Sequence, residues 1–281
     1  MNNYTIKTPL ILSGKGLHTG IKYNIIIQPS IGDGIEFILG NKAVFNLNNS
    51  IDYLKETELS TTLEYKNVQL TTIEHLLAAL NALNITNISI ELYTTNPTDF
   101  YEIPILDGSS KEFFIALKES KRTYIETNNI YVTKLHKIIS NTDPNKYCYA
   151  SLTSDNIHYS YYIDYDNKFI GKRNYLFELN ETSFEKLIMD SKTFVLKEQI
   201  DNIKKDNKIK GGDNTNALIV DKNYVENYDL LTFYNEPVRH KILDMIGDSY
   251  IFGRKIVGNF HGNKTGHIFN SRLMKSIFEN K

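Results

Sequence analysis

Pro237–Tyr250, PVRHKILDMIGDSY, is the stretch from which the rest of the chain can be read. Proline suits the first turn of a helix, Asn235 or Glu236 stands where a cap is needed, and Gly253 lies where a helix can stop. The spacing predicts one helix. Val238, Ile242, Met245 and Ile246 recur at i, i+4, i+7 and i+8, an apolar stripe that faces a core. His240, Asp244 and Asp248 stand off that stripe, and at roughly 100° per residue they drift only about 80° from first to last. One imidazole and two carboxylates therefore line one ridge. A solvated ridge normally carries Lys and Glu, whereas His and Asp one turn apart are a ready pair of ligands for a divalent ion. An ordinary i, i+4 surface pair is the competing explanation.

With 281 residues, 41% of them hydrophobic, the chain can build one large domain or two of ordinary size. A net charge of -1 gives no global argument for nucleic acid or an anionic membrane surface. The single cysteine, Cys148, excludes an intrachain disulfide and a cysteine-rich zinc site, so a metal must be held by His, Asp or Glu. The opening MNNYTIKTPL has the pattern of neither a signal nor a transit peptide, and no apolar run reaches membrane-spanning length. A soluble cytoplasmic protein is the expectation.

Outward from the ridge, the first fifty residues read as strands broken by glycine turns: Thr5 to Leu12, Ile21 to Gln28, Ile35 to Leu39 and Ala43 to Leu47. The turn SGKGLHTG (13–20) lacks the Walker spacing, and a plain hairpin explains it, with His18 structural or peripheral rather than catalytic. Leu59 to Leu70 reads as a hairpin around Lys66-Asn67. Ile73, Leu76, Leu77, Leu80 and Leu83 then form a helical stripe, with Thr71 or Thr72 as N-cap and Thr71/Glu74 spaced as a capping box. A strand Asn87 to Tyr93, a turn at Asp107 and a helix Lys111 to Glu119 follow. After Arg122 the pattern restarts, with strands Ile130 to Ile139, Tyr147 to Leu152, His158 to Tyr165 and Asn174 to Leu179 and a helix Ser183 to Asp190. The charge run Lys197 to Lys210 reads as a solvated helix face, with Gly211-Gly212 a break before the strand Ala217 to Val220. The Pro237 helix, a strand Lys255 to Phe260 and a last helix from about Asn270 close the chain. Each half is thus a set of strands followed by helix, strand, helix. Element order predicts two similar α+β domains, 1–122 and 123–281, with no direct sequence repeat between them.

If the halves correspond, the Thr72 and Pro237 helices are counterparts whose polar faces can meet at a domain interface. His75, His240 and Asp244 then form a three-ligand set of the kind zinc uses in open catalytic sites. Glu74, beside a ligand, is placed to take a proton from water activated there. His267 can stabilise an oxyanion or protonate a departing amine, Asp248 can orient it, and Lys241 offers a cation to an anionic substrate. Amide hydrolysis is the reaction that suits this set.

SGKGLHTG, TTIEHLLAAL, EIPILDGSS, KGGDNTNALIVD, RHKILDMIGD and KTGHIFN, in this order and over nearly the whole chain, resemble the UDP-3-O-acyl-N-acetylglucosamine deacetylase family. Together EH, RHKxxDxxGD and GH are specific, though no one of them is. The resemblance implies zinc at His75, His240 and Asp244, Glu74 as general base, and His267 as general acid beside Asp248. It implies Lys241 in contact with substrate, Thr193 as stabiliser of the oxyanion, and Phe194 packed on the substrate. It implies deacetylation of a UDP-linked acylated amino sugar, the committed step of lipid A synthesis. The implied fold has two α+β domains with helices sandwiched between outer sheets. One insert per domain lies near the site, at about 40–70 and 193–222, the second lining an acyl-chain passage. The run VLKEQIDNIKKDNK after Phe194, and GHIFN where the family has GHALN, depart from the pattern and make the passage shape this chain's own, with bulkier Ile268 and Phe269.

Two other readings compete. A related zinc amidase on another acylated amino sugar would share the metal and Glu74 without needing UDP or a fatty chain. A noncatalytic scaffold would have lost a ligand, the base or the acid, and all are present. A nucleic-acid partner rests only on the lysines around Lys204 to Lys210. The expectation is a monomer without nucleic acid or membrane span, touching the inner membrane surface transiently for its amphiphilic substrate.

Overall fold

The computed structural model describes residues 3–279 apart from 31, 33, 97, 121, 126–127, 154–155 and 206–208. Two five-stranded sheets carry it. The first contains β1 (Leu10–Lys15), β2 (Lys22–Pro29), β3 (Ile35–Leu39), β4 (Ala43–Asn46) and β5 (Ile88–Tyr93), in the spatial order β1-β2-β5-β3-β4. The second contains β6 (His136–Ile139), β7 (Tyr147–Ser151), β8 (His158–Asp164), β9 (Lys172–Glu178) and β10 (Asn259–Asn263), in the order β6-β7-β10-β8-β9. In each sheet the strand that comes last in sequence sits at the centre. Its pairing with β3 or β8 is parallel, and every other pairing is antiparallel. One plan is used twice, as the order of elements predicts.

Period-two alternation sets which face is covered. Tyr23, Ile25 and Ile27 of β2, Ile88, Ile90 and Leu92 of β5, and Tyr159, Tyr161 and Ile163 of β8 are all buried. The helices are α1 (Glu74–Leu83), α2 (Lys111–Glu119), α3 (Glu181–Leu187), α4 (Lys197–Lys205), α5 (Glu236–Asp248) and α6 (His267–Phe278), and all but α4 lie between these faces. Every residue of α1 is buried, as befits a helix covered on all sides. It packs on α5 and α2, while α5 packs on α6, β8 and β9, and α6 on β6 and β7. One continuous apolar cluster joins the inner faces of both sheets to α1, α2, α3, α5 and α6, so these five helices are the filling of an α+β sandwich.

Two excursions from the sheets approach the helix layer. In the first, Thr62–Tyr65 and Val68–Thr71 form the expected hairpin, with Lys66 at φ 53, extended by Leu54–Lys55 and Phe100–Glu102. In the second, Phe194–Leu196 and Leu218–Val220 pair in parallel across a connection that contains α4. Lys197, Glu198, Gln199, Asn202 and Lys205 of α4 are exposed, and residues 206–208 of the charge run lie outside the described residues.

Several boundaries differ from the spacing-based expectation. Thr71 and Glu74 form no capping box: Thr71 ends a strand and shares hydroxyl contacts with Ser60 and Thr62, and the N-cap of α1 is Ile73. Glu74 reaches instead to the Thr61 amide. The predicted strand Ile130 to Ile139 is two pieces, because Ile130–Tyr131 leaves to pair with Ile256–Val257. The last helix starts at His267, three residues before Asn270. Asn235 is the N-cap of α5 without a side-chain cap bond, and its Oδ1 accepts from Arg239 Nε at 2.7 Å. Among the described residues no helix is long and apolar enough to cross a membrane.

Candidate active site

The ridge on α5 meets the start of α1. His75 stands in the first turn of α1, His240 and Asp244 in the middle of α5, and one ligand atom from each lies within 4.8 Å of the others. Gly247 makes the approach possible, since a Cβ there would stand 2.0 Å from the Glu74 carbonyl oxygen. His240 Nδ1 donates to the Ser191 carbonyl at 3.0 Å, which leaves the Nε2 lone pair facing Asp244 Oδ1 at 3.3 Å. Burial pushes the His240 imidazole down to about 3, so it is neutral. His75 Nε2 faces the same Asp244 oxygen at 3.7 Å.

Asp244 is 3% exposed, and burial alone would raise its carboxyl. The facing His240, Lys241 and His75 hold it well below the usual carboxylate range. Its Oδ2 accepts from Lys241 Nζ at 2.8 Å, whereas its buried Oδ1 has no hydrogen-bond donor. A buried ionised oxygen without a donor is costly, and two imidazole nitrogens share its corner. This donor set fits a divalent ion of the zinc type.

Around that corner stand two further buried titratable groups, Glu74 and His267. Glu74 is 2% exposed and burial raises its carboxyl; its Oε2 accepts from the Thr61 amide at 2.9 Å. His267 opens α6, with Nδ1 2.9 Å from Asp248 Oδ2 and Nε2 3.7 Å from Asp244 Oδ2. Burial opposes its charge, but Asp248, with Asp244 and Glu74 behind it, pushes the imidazole up to about 9. Asp248 also accepts from Asn270 Nδ2 at 2.8 Å and from the Thr61 hydroxyl.

A cavity of about 110 Å³ is lined by Glu74, His75, His240, Lys241, Asp244 and His267 together with Thr193 and Phe194. It adjoins a wider recess of about 320 Å³ lined by Lys146, Tyr165, Leu196, Ile268 and Phe269. A further, largely apolar recess of about 340 Å³ lies in the second excursion, between Val195, Ile200, Ile209, Ala217 and Ile219. Every residue expected at the site from the sequence is therefore gathered there, Asp248 through its contact with His267.

Other residues that build the site carry no signal in the spacing. Glu236, fully buried, accepts from the Lys192, Thr232 and Phe233 amides and so ties the segment before Thr193 to the start of α5. Thr193 N–H in turn donates to the Gly108 carbonyl at 2.8 Å. Glu102 gathers the SGKGLHTG turn, accepting from the His18 and Thr19 amides at 2.8 and 2.9 Å. Gly211 closes against that turn, its amide donating to the Leu17 carbonyl at 2.9 Å and its α-carbon leaving no room for a side chain beside Gly16. The glycine pair is thus a docking point as well as a break. Asp107 is the expected turn residue, accepting from the Ser109 amide.

The family model described as UDP-3-O-acyl N-acetylglycosamine deacetylase matches residues 3–279. A UDP-3-O-acyl-N-acetylglucosamine deacetylase of Aquifex aeolicus is 34% identical over 275 residues, 97% of this chain and 92% of that protein. Proteins of the same name from Myxococcus xanthus and Nautilia profundicola are 33% and 30% identical, over 98% and 99% of this chain and 86% and 92% of their own. With that match spanning both sheets, both excursions and every residue of the cavity, the chain belongs to the UDP-3-O-acyl-N-acetylglucosamine deacetylase family.

Proposed function

We propose that this protein removes the acetyl group from the amide nitrogen of a UDP-3-O-(3-hydroxyacyl)-N-acetylglucosamine, releasing acetate at the committed step of lipid A synthesis. The observation that carries this is the convergence of His75, His240 and Asp244 within 4.8 Å, on a cavity shared with Glu74 and His267. His75, His240 and Asp244 would hold a zinc ion. When bound, zinc supplies Lewis acidity that lowers the pKa of water and polarises a carbonyl.

The chain's own residues do the rest. Glu74 takes the proton from the attacking water, and its anchoring by the Thr61 amide keeps the second carboxylate oxygen for that task. Thr193 stabilises the charge that develops on the acetyl oxygen. His267 gives its proton to the nitrogen as the carbon–nitrogen bond breaks, and Asp248 holds it charged and in place until then. Lys241 faces an anionic group of the substrate, Phe194 packs on it, and the apolar recess between Val195 and Ile219 takes the acyl chain. The two domains meet at residue 122, and the enzyme works in the cytoplasm as a monomer that touches the inner membrane surface to collect its substrate.

The test is acetate release by metal-free protein, before and after zinc is restored, on substrates of two or three acyl lengths. Release that needs zinc and depends on chain length is the expected result; a metal-loaded protein that releases none overturns it. Release from acylated amino sugars lacking UDP at the same rate would favour the related amidase. Glu74→Gln should keep the metal and lose on the order of 10²- to 10⁴-fold in kcat.

A further inference from the structure

Thr61 touches both the base and the acid from a third segment of chain. Its amide donates to Glu74 Oε2 at 2.9 Å. Its hydroxyl donates to Asp248 Oδ1, since an ionised carboxylate can only accept. The other Asp248 oxygen is taken by His267 Nδ1 at 2.9 Å and Asn270 Nδ2 at 2.8 Å. Thr61 Oγ1 also lies 3.3 Å from His267 Nδ1. All of this is sealed from solvent, Thr61 being 2% exposed and Asp248 3%.

The hydroxyl divides the two Asp248 oxygens. Held at Oδ1, the carboxylate cannot swing about its last torsion, so Oδ2 stays in line with the His267 ring and Nε2 stays turned to the Asp244 corner. The segment is pinned independently of that hydroxyl. Ser60 Oγ and Thr62 Oγ1, on either side, meet Thr71 Oγ1 at 2.6 and 2.8 Å, on the strand that leads into α1. Removing the Thr61 hydroxyl therefore leaves its amide on Glu74. Glu58 and Leu59, just before it, line the cavity, so the segment that meets a bound molecule also carries this contact.

We propose that Thr61 is a positioning residue for the acid and base together: its hydroxyl sets the Asp248–His267 pair and its amide sets Glu74. The rate readout rests on the deacetylase function proposed above; the spectroscopic one does not. Thr61→Val, Thr61→Ala and Thr61→Ser are compared in the full, zinc-loaded protein. Val and Ala are expected to lower kcat on the order of 10- to 100-fold with KM changed less than about twofold and zinc content unchanged. Ser, which keeps the hydroxyl, is expected to recover kcat to within about threefold of the parent. In proton NMR of nitrogen-labelled protein, the His267 Nδ1–H resonance should shift or broaden in Val and Ala and return in Ser. Parent-like kcat in Val and Ala, equal damage in Ser, or loss of zinc along with rate would each overturn the proposal. If the parent protein itself releases no acetate, the proposed function fails. The NMR comparison then still decides Thr61, an unchanged resonance in Val and Ala overturning it.

Discussion

At His267 burial and charge pull in opposite directions. Burial alone would strip the imidazole of its proton, yet Asp248 at 2.9 Å, helped by Asp244 and Glu74, pushes it up to about 9. At Glu74 burial wins and the carboxyl is raised. Rate should therefore fall on the acid side as Glu74 gains a proton and on the alkaline side as His267 loses one. Asp248→Asn removes the charge that holds the proton on His267, so the alkaline fall in kcat should move down by about one unit or more. A parent-like alkaline limb in that variant would show that another group sets it. The i, i+4, i+8 spacing made His240, Asp244 and Asp248 legible as a ridge, and the cluster at His75 followed from pairing the two helices. Thr61 was not legible, because its partner Asp248 lies 187 residues away and a lone threonine has many ordinary uses.

Helices α1 and α5 touch more closely than side chains normally allow. The point of contact is Gly247, where a Cβ would meet the Glu74 carbonyl oxygen at 2.0 Å and the Glu74 α-carbon at 2.9 Å. The obstacle is backbone, which cannot turn aside as a flexible side chain can. Gly247→Ala should force the helices apart, with a cost of about 1–3 kcal/mol or more in stability. His75 rides on one helix and His240 and Asp244 on the other, so the same change should weaken metal binding. Thermal melting and a competitive metal titration would check both, and parent-like metal affinity would mean that the helices tolerate the added methyl. Apolar periodicity located these helices because their buried stripes repeat locally. The start of α1 departs from its local spacing for an equally physical reason: Thr71 and Glu74 are spaced as a capping box, but tertiary partners claim both side chains. The break after Tyr131 was hidden too, since it depends on pairing with Ile256–Val257 far along the chain.

Across the whole molecule the duplicated plan could be inferred from element order, whereas the central place of β5 and β10 could not, because strand pairing is a long-range choice. The halves also meet away from the site. Lys255 precedes the strand Ile256–Val257 and is 4% exposed, and its Nζ donates to Asn84 Oδ1 at the residue that caps the C-terminus of α1. No ion pair to its ammonium is found among the described residues, and burial lowers the amine from 10.5 to about 7. The unfolded chain keeps that proton to the higher value, so between the two it binds more protons than the folded chain, and stability rises with pH across that window. Below about 7 both states are protonated and the cost of burying the charge is present in full. Lys255→Met should therefore be more stable than the parent near neutrality by an amount on the order of a few kcal/mol, with the advantage shrinking as pH approaches about 10. Urea unfolding of both proteins at about pH 6.5 and 9.5 measures it. An advantage that stays constant with pH would mean that Lys255 is charged in the fold throughout, held by the carbonyl end of α1 and Asn84 strongly enough to offset its burial.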